Sequence, residues 1–224
     1  MAGERPYLRR LVDGRLQALF SELPAILIVG PRAVGKTTSA SRLAHTVVHL
    51  DQAAQAVAFE ADPDAALRAQ TEPVLLDEWQ QVPGVLGAIR RAIEKDGRPG
   101  RFLLTGSVRT DLLNQVWPGT GRLVRMKMYG LTMRELAVTS ASDSFIDRLV
   151  KADLSLFTLP TPAPDLVTYV EAALRGAFPE PLIRNFSDAT RQAWLESYLD
   201  QLLTHDIAGL VRGPSRLRRY FEVV

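Results

Sequence analysis

An apolar run followed at once by a glycine-rich turn is the feature that most restricts how this chain can fold. Residues 25–29 read AILIV and residues 30–37 read GPRAVGKT, which fits the pattern G-x-x-x-x-G-K-[ST]. The apolar run predicts a strand buried on both faces, and the residues after the second glycine predict a helix over 36–44. We therefore expect a strand, a tight loop and a helix in direct succession.

Short apolar runs recur along the first half of the chain. Four further segments have the pattern of strands: 47–50, 74–76, 102–104 and 123–129. Helical patterns over 64–70 and 84–95 lie between them, and an amphipathic helix over 8–20, ended by Pro24, precedes the first strand. Strands that alternate with helices pair in parallel, so the sequence predicts an α/β fold with a parallel sheet of about five strands flanked by helices.

The pattern changes at Thr132, from which helices replace strands. Residues 132–135 fit a capping box at the start of a helix. Longer helices are predicted over 165–175 and 188–203. We therefore predict two domains, a core over 1–131 and a helical region over 132–224.

Composition excludes several other classes of protein. The chain has 46% hydrophobic and 23% charged residues, as globular proteins do. It contains no apolar run of the roughly 18 residues that a membrane span needs, and its first residues contain no secretory signal. We therefore expect a cytoplasmic protein without a membrane partner. The absence of cysteine excludes disulfides and thiol nucleophiles, and His45 and His49 lack further ligands at metal-binding spacing, which favours packing or surface roles.

The turn after the first strand has the residue types of a phosphate-binding loop. Gly30 and Gly35 allow the backbone to wrap around phosphate groups, whose oxygens accept hydrogen bonds from N–H groups at the start of a helix. Lys36 would reach the β- and γ-phosphates of ATP, and the Thr37 hydroxyl would bind Mg²⁺. The predicted nucleotide-binding residues are contiguous: Gly30, Pro31, Arg32, Ala33, Val34, Gly35, Lys36, Thr37 and Thr38.

Two acidic residues, Asp77 and Glu78, follow the apolar run over 74–76. Ligands of open parallel sheets bind at the carboxyl ends of the strands. We predict that Asp77 is the second Mg²⁺ anchor and that Glu78 is the general base for a water that attacks the γ-phosphate. This pair of acids favours an ATPase over a nucleotide kinase. The alternative is that both acids only place negative charge at the start of a helix.

Two further catalytic roles have more than one candidate. The strand over 102–104 ends in Thr105-Gly106-Ser107, and a hydroxyl of Thr105 or Ser107 would sense the γ-phosphate. Such small polar residues are also common in turns. An arginine finger contributes about 10³- to 10⁵-fold in rate. Arg122 is the first candidate and Arg109 and Arg32 are the others, with a solvated surface role open for each.

These motifs resemble those of a bacterial and archaeal family of AAA+-like P-loop ATPases. The matching stretches are GPRAVGKTT at 30, LLDEWQ at 75, FLLTGS at 102, GR at 121, YGLTMREL at 129, GAFPEPL at 176 and RQAWLESYLDQLLTHDI at 191. The resemblance implies that Lys36 and Thr37 belong to Walker A, that Asp77 and Glu78 form Walker B, and that 105–107 is the sensor segment.

The resemblance also implies a fold and a domain order. The fold is a P-loop NTPase core of five strands followed by a helical lid domain. A C-terminal domain of uncharacterised function usually follows the lid in this family. Residues 132–224 would then contain the lid and the start of that region, and the rest would be missing from this chain.

The sequence thus predicts an enzyme, a Mg²⁺-dependent AAA+ ATPase that binds and hydrolyses ATP and couples its nucleotide state to a partner or to a C-terminal domain. One alternative is a nucleotide-gated switch with negligible turnover. Another is a nucleic-acid-associated protein in which ATP has an accessory role, and whose DNA affinity would fall steeply with salt. A DNA or protein partner therefore stays open. Self-association is expected from apolar residues near the end of the chain: Leu217, Tyr220, Phe221, Val223 and Val224.

Overall fold

A five-stranded sheet organises the part of the chain that the computed structural model describes, which is residues 7–106, 121–136, 145–151 and 165–206. The strands are β1 (Ala25–Val29), β2 (Thr46–His49), β3 (Val74–Asp77), β4 (Phe102–Gly106) and β5 (Leu123–Lys127). All neighbouring strands are parallel, in the order β2-β3-β4-β1-β5. The predicted α/β fold with about five parallel strands flanked by helices is confirmed.

Burial along the strands follows their position in the sheet. Every residue of β1, β3 and β4 is buried, because these strands have neighbours on both sides and helices cover the sheet. The edge strand β5 instead alternates, with Met126 buried between the exposed residues Arg125 and Lys127. Burial of each large apolar side chain stabilises the fold by roughly 1.5–3 kcal/mol, so the continuous apolar runs form the core.

Seven helices are described in the same part of the chain as these strands. They are α1 (Leu11–Phe20), α2 (Lys36–Ser41), α3 (Ala53–Ala61), α4 (Pro63–Arg68), α5 (Gly84–Lys95), α6 (Met133–Leu136) and α7 (Phe145–Val150). The predicted helix over 84–95 is confirmed to the residue, whereas α2 ends three residues before its predicted end. Helix α3 was not predicted, because its sequence AAQAVAFEA buries only Ala56 and Phe59. So few large apolar residues produce little periodic signal, although alanine has the highest helix propensity.

The chain divides into two compact units, Met1–Ala163 and Pro164–Val224. The second unit contains α8 (Leu166–Arg175), α9 (Pro179–Ile183) and α10 (Asp188–Gln201), followed by a π-helical turn over Leu202–Asp206. Asp165 and Ser187 cap α8 and α10, because their side-chain oxygens accept hydrogen bonds from backbone N–H groups. The domain boundary at 131/132 and the lid stay predictions. Across the described ranges, no helix has the length and apolar character needed to span a membrane.

The strand order places three carboxyl ends side by side. Strand β4 lies between β3 and β1, and all three run in the same direction. The loop after β1, the acidic pair Asp77-Glu78 at the end of β3 and Thr105 near the end of β4 therefore meet at one edge of the sheet, where α/β proteins bind ligands.

Candidate functional site

The loop between β1 and α2 has two residues with a left-handed backbone and packs closely against the segment after β5. Ala33 has a φ of 58° and Gly35 a φ of 92°, and Gly35 is the N-cap of α2. Left-handed residues of this kind let successive N–H groups turn toward a common centre. A side chain at Gly30 would collide with the backbone carbonyl oxygen of Met128, so only glycine fits where the loop leaves the sheet.

The Lys36 side chain folds back over this loop. Its Nζ donates hydrogen bonds to the carbonyl oxygens of Gly30, at 3.1 Å, and Pro31, at 2.7 Å. Lys36 is only 6% exposed, although its charge is the kind that usually stays in water. The loop carbonyls therefore hold a buried cation within the segment predicted to bind phosphate.

The Asp77 carboxylate contacts side chains from α2, β4 and β2. Its Oδ1 accepts hydrogen bonds from the Thr37 hydroxyl, at 2.8 Å, and from the Thr105 hydroxyl. Its Oδ2 lies 3.2 Å from Nδ1 of His49, the last residue of β2. Asp77 is 7% exposed and Thr105 is fully buried. The structure thus brings together Thr37 and Asp77, the two residues predicted to hold Mg²⁺, and adds His49 to them.

Glu78 occupies a strained turn. Its φ of 51° and ψ of 46° are left-handed, and it begins a short 3₁₀ helix, Trp79–Gln81. Such a conformation costs a non-glycine residue about 1–3 kcal/mol and persists only where the surroundings enforce it. The Glu78 carboxylate accepts a hydrogen bond from Nε2 of Gln80, and Trp79 is 1% exposed. A Cβ atom at Gly106 would lie 2.8 Å from Nε1 of Trp79, so the turn rests directly on the end of β4.

The remaining predicted site residues are either exposed or outside the described ranges. Thr38 lies exposed on α2, and Arg122 lies exposed immediately before β5. Ser107 and Arg109 lie outside the described residues, as does the apolar segment 217–224. The sensor, the arginine finger and self-association therefore stay predictions.

Sequence reasoning missed two residues at this site. His49 is the last residue of a short strand. Its role becomes visible only from the register of β2 and β3, in which His49 pairs with Asp77. Arg10 stands beside Arg9 at the start of an amphipathic helix, where an arginine is usually solvated. Its guanidinium nevertheless donates a 2.7 Å hydrogen bond to the carbonyl oxygen of Val34 in the loop, and no local pattern indicated this contact.

Arg10 also forms a buried ion pair with Glu135, with 3.0 Å between Nε and Oε1. Burial tends to raise the pKa of Glu135. Hydrogen bonds from the backbone N–H groups of Thr132 and Leu11, and from Arg10, outweigh it and hold that pKa below its ordinary value. Thr132 and Glu135 also form the predicted capping box, since each side chain accepts a hydrogen bond from the backbone N–H of the other.

Comparisons with known proteins identify the family of this chain. Residues 22–137 match a family model described as an AAA domain. Two uncharacterized proteins, Rv2008c of Mycobacterium tuberculosis and Mb2031c of Mycobacterium bovis, are each 28% identical to this chain over 223 residues. The alignment covers 94% of this chain and 42% of each relative, so the chain spans about two fifths of the length of the curated relatives it matches. Because the matched region exceeds half of the chain and contains the glycine-rich loop, Asp77 and Glu135, the protein belongs to the AAA domain family of P-loop, ATPase-like proteins.

Proposed function

We propose that this chain is a Mg²⁺-dependent ATPase domain that binds ATP at residues 30–38 and hydrolyses it. The observation that carries the proposal is the 2.8 Å hydrogen bond between the Thr37 hydroxyl and the Asp77 carboxylate. Hydroxyl and carboxylate oxygens suit Mg²⁺, which completes its coordination with waters and substrate phosphates. Membership of the AAA domain family supports a nucleotide as the ligand.

The loop residues would bind the phosphates. Backbone N–H groups between Ala33 and Thr37 would donate to phosphate oxygens. Lys36 would exchange its hydrogen bonds to the Gly30 and Pro31 carbonyls for bonds to the β- and γ-phosphates. Thr37 and Asp77 would hold Mg²⁺, which when bound neutralises charge on these phosphates.

Glu78 is the residue we assign to water activation. A general base accepts the proton of the attacking water and contributes about 10²- to 10⁴-fold in rate. The strained turn fixes the Glu78 backbone, and Gln80 orients its carboxylate. Thr105, whose hydroxyl is directed at Asp77, would respond to the nucleotide through that carboxylate. We keep Arg122 as the proposed arginine finger.

A nucleotide-gated switch with negligible turnover is the second candidate. The observation that favours it is the hydrogen bond from Gln80 to Glu78, because a carboxylate engaged by an amide is less available to a water. In both candidates we propose a core over 1–131 and a lid over 132–224 that passes the nucleotide state to a partner. A cytoplasmic location is proposed from the composition.

The first test measures nucleotide binding through stability. Mg-ATP at 100 times its Kd should stabilise the chain by about 2.7 kcal/mol, which corresponds to a rise in Tm of about 5–10 °C for a chain of this size. Lys36→Ala should abolish the rise. Lys95→Ala, which removes an exposed lysine at the end of α5, should retain it. An equal rise in Lys36→Ala would contradict the proposed phosphate site.

Glu78→Gln, measured beside Lys36→Ala, separates the enzyme from the switch. Glu78→Gln preserves size and hydrogen bonding but removes the base, so ATP turnover should fall about 10²- to 10⁴-fold while the affinity for Mg-ATP changes little. Turnover in the wild-type chain that is no faster than in Lys36→Ala, with binding intact, would establish the switch. Unchanged turnover in Glu78→Gln would remove the general-base assignment.

A further inference from the structure

Arg10 connects three segments that are distant in sequence. The residue is 7% exposed, and each part of its guanidinium has a separate acceptor. Nη1 donates to the carbonyl oxygen of Val34 at 2.7 Å, and Nη2 donates to that of Tyr129 at 2.8 Å. Nε donates to Oε1 of Glu135 at 3.0 Å. The glycine-rich loop, the segment after β5 and helix α6 thus share one side chain.

Glu135 holds Arg10 in this position. Its Oε1 accepts a second hydrogen bond from the backbone N–H of Leu11 at 2.7 Å, and its Oε2 accepts one from the backbone N–H of Thr132 at 2.7 Å. Breaking a buried ion pair by removing one partner leaves a buried charge uncompensated. The guanidinium therefore has little freedom to leave the Val34 carbonyl.

The contact with Val34 bears directly on the phosphate loop. Val34 lies between Ala33 and Gly35, both of which have left-handed backbones. The C=O and N–H of a trans peptide point in opposite directions. A guanidinium that binds the Val34 carbonyl from one side therefore keeps the Gly35 N–H directed to the other side, away from Arg10.

We propose that Arg10, held by Glu135, is a positioning residue for the phosphate loop. It keeps the Val34–Gly35 peptide in the orientation that presents the Gly35 N–H to a bound phosphate, an inference that rests on the proposed function. The role requires arginine, because its three nitrogens each donate to a different acceptor here, whereas the three donors of lysine share one nitrogen and cannot span acceptors placed so far apart. The same side chain also connects the loop to Tyr129 and Glu135.

Arg101 offers a matched control within the chain. It is 8% exposed and forms an ion pair with Glu72 at 2.8 Å. It also donates to the backbone carbonyl oxygens of Ala92, at 2.8 Å, and Asp96. Arg101 precedes β4, so it lies at the opposite end of the parallel strands from the loop. The two arginines have similar burial and bonding but only one contacts the loop.

The experiment compares Arg10→Lys with Arg101→Lys in this chain. Both substitutions should lower the Tm of the nucleotide-free protein, because each removes buried hydrogen bonds. Only Arg10→Lys should raise the apparent Kd for Mg-ATP, by about tenfold. This rise is expected if the loop of the variant adopts the binding conformation for only about a tenth of the time. A Kd within twofold of wild type, or an equal rise in Arg101→Lys, would overturn the proposal.

Amide hydrogen exchange of the nucleotide-free protein provides a second readout. The amides of residues 33–37 should exchange faster in Arg10→Lys than in wild type, and should be unchanged in Arg101→Lys. If wild type does not bind Mg-ATP, the proposed function fails, and exchange alone then decides whether Arg10 positions the loop. Unchanged exchange at these amides would overturn the inference in either case. If Arg10→Lys does not fold, Glu135→Gln replaces it, with a smaller rise in Kd and in exchange expected.

Discussion

Replacement of Thr105 by valine removes one hydroxyl from the buried end of β4 and leaves the shape of the side chain almost unchanged. In the structure this hydroxyl donates a hydrogen bond to Oδ1 of Asp77, and Thr105 has no exposed surface. The substitution therefore tests whether Thr105 supports the Asp77 carboxylate in the absence of a nucleotide.

The expected loss of stability follows from the bond and its surroundings. A hydrogen bond to a charged group contributes about 1.5–3 kcal/mol. The extra buried methyl group of valine restores about 0.8 kcal/mol. The carboxylate keeps its other partners, Thr37 and His49, so no further penalty for an unsatisfied charge is expected. Thr105→Val should therefore destabilise the nucleotide-free chain by about 1–2 kcal/mol, or about 2–8 °C in Tm for a chain of this size.

Urea denaturation followed by circular dichroism measures this difference. Thr46→Val is the control, because the hydroxyl of the half-buried Thr46 donates at 2.7 Å to the neutral carbonyl oxygen of Thr71 in a bond exposed to solvent. A change within about 0.5 kcal/mol is expected there. If Thr105→Val is no less stable than Thr46→Val, the assigned hydrogen bond does not support the fold. Reduced ATP turnover with unchanged unfolding would instead indicate a direct sensor role for Thr105.

Two further predictions concern stability. Gly106→Ala should destabilise the chain by about 1–3 kcal/mol, because the new methyl group would collide with the Gln80 side chain and lie 2.8 Å from Nε1 of the buried Trp79. Urea denaturation should show no such loss for Gly14→Ala, because a methyl group there meets no side chain or backbone beyond its neighbours in the helix. Burial raises the pKa of Glu135, but its hydrogen bonds lower it below the ordinary 4.5. Its stabilisation is therefore complete above that pH and is lost as the pH falls through the folded pKa. Glu135→Gln should flatten the acid limb of the unfolding free energy against pH, and an equally steep limb would contradict this.

The parts of the fold that could be predicted depend on contiguous residues. The run over 25–29 is buried on both faces and bounded by Pro24 and Gly30, so strand β1 was predicted with its observed limits. Helix α5 has a strong apolar stripe and was likewise predicted. Residues 36–37 lie in a short motif that follows β1, and residues 77–78 lie in one at the end of β3. Their position needed only the rule that ligands bind at the carboxyl ends of parallel strands.

The parts that could not be predicted depend on pairs of distant residues. Arg10 and Glu135 are 125 residues apart, and a single sequence contains no signal that joins them. His49 could be found only after β2 and β3 were known to be neighbours in register. In both cases the local pattern favoured a role without a specific partner, because arginine is mostly solvated and histidine is often partly exposed.

These distant contacts bear on how the loop would bind ATP. Three residues of the motif have bonds that fix them: Val34 to Arg10, Lys36 to the Gly30 and Pro31 carbonyls, and Thr37 to Asp77. A loop that is already ordered loses less conformational entropy when a ligand binds. If residues 30–38 bind phosphate as we propose, the affinity depends on groups outside the motif, and a chain with an intact motif but without Arg10 should bind ATP more weakly.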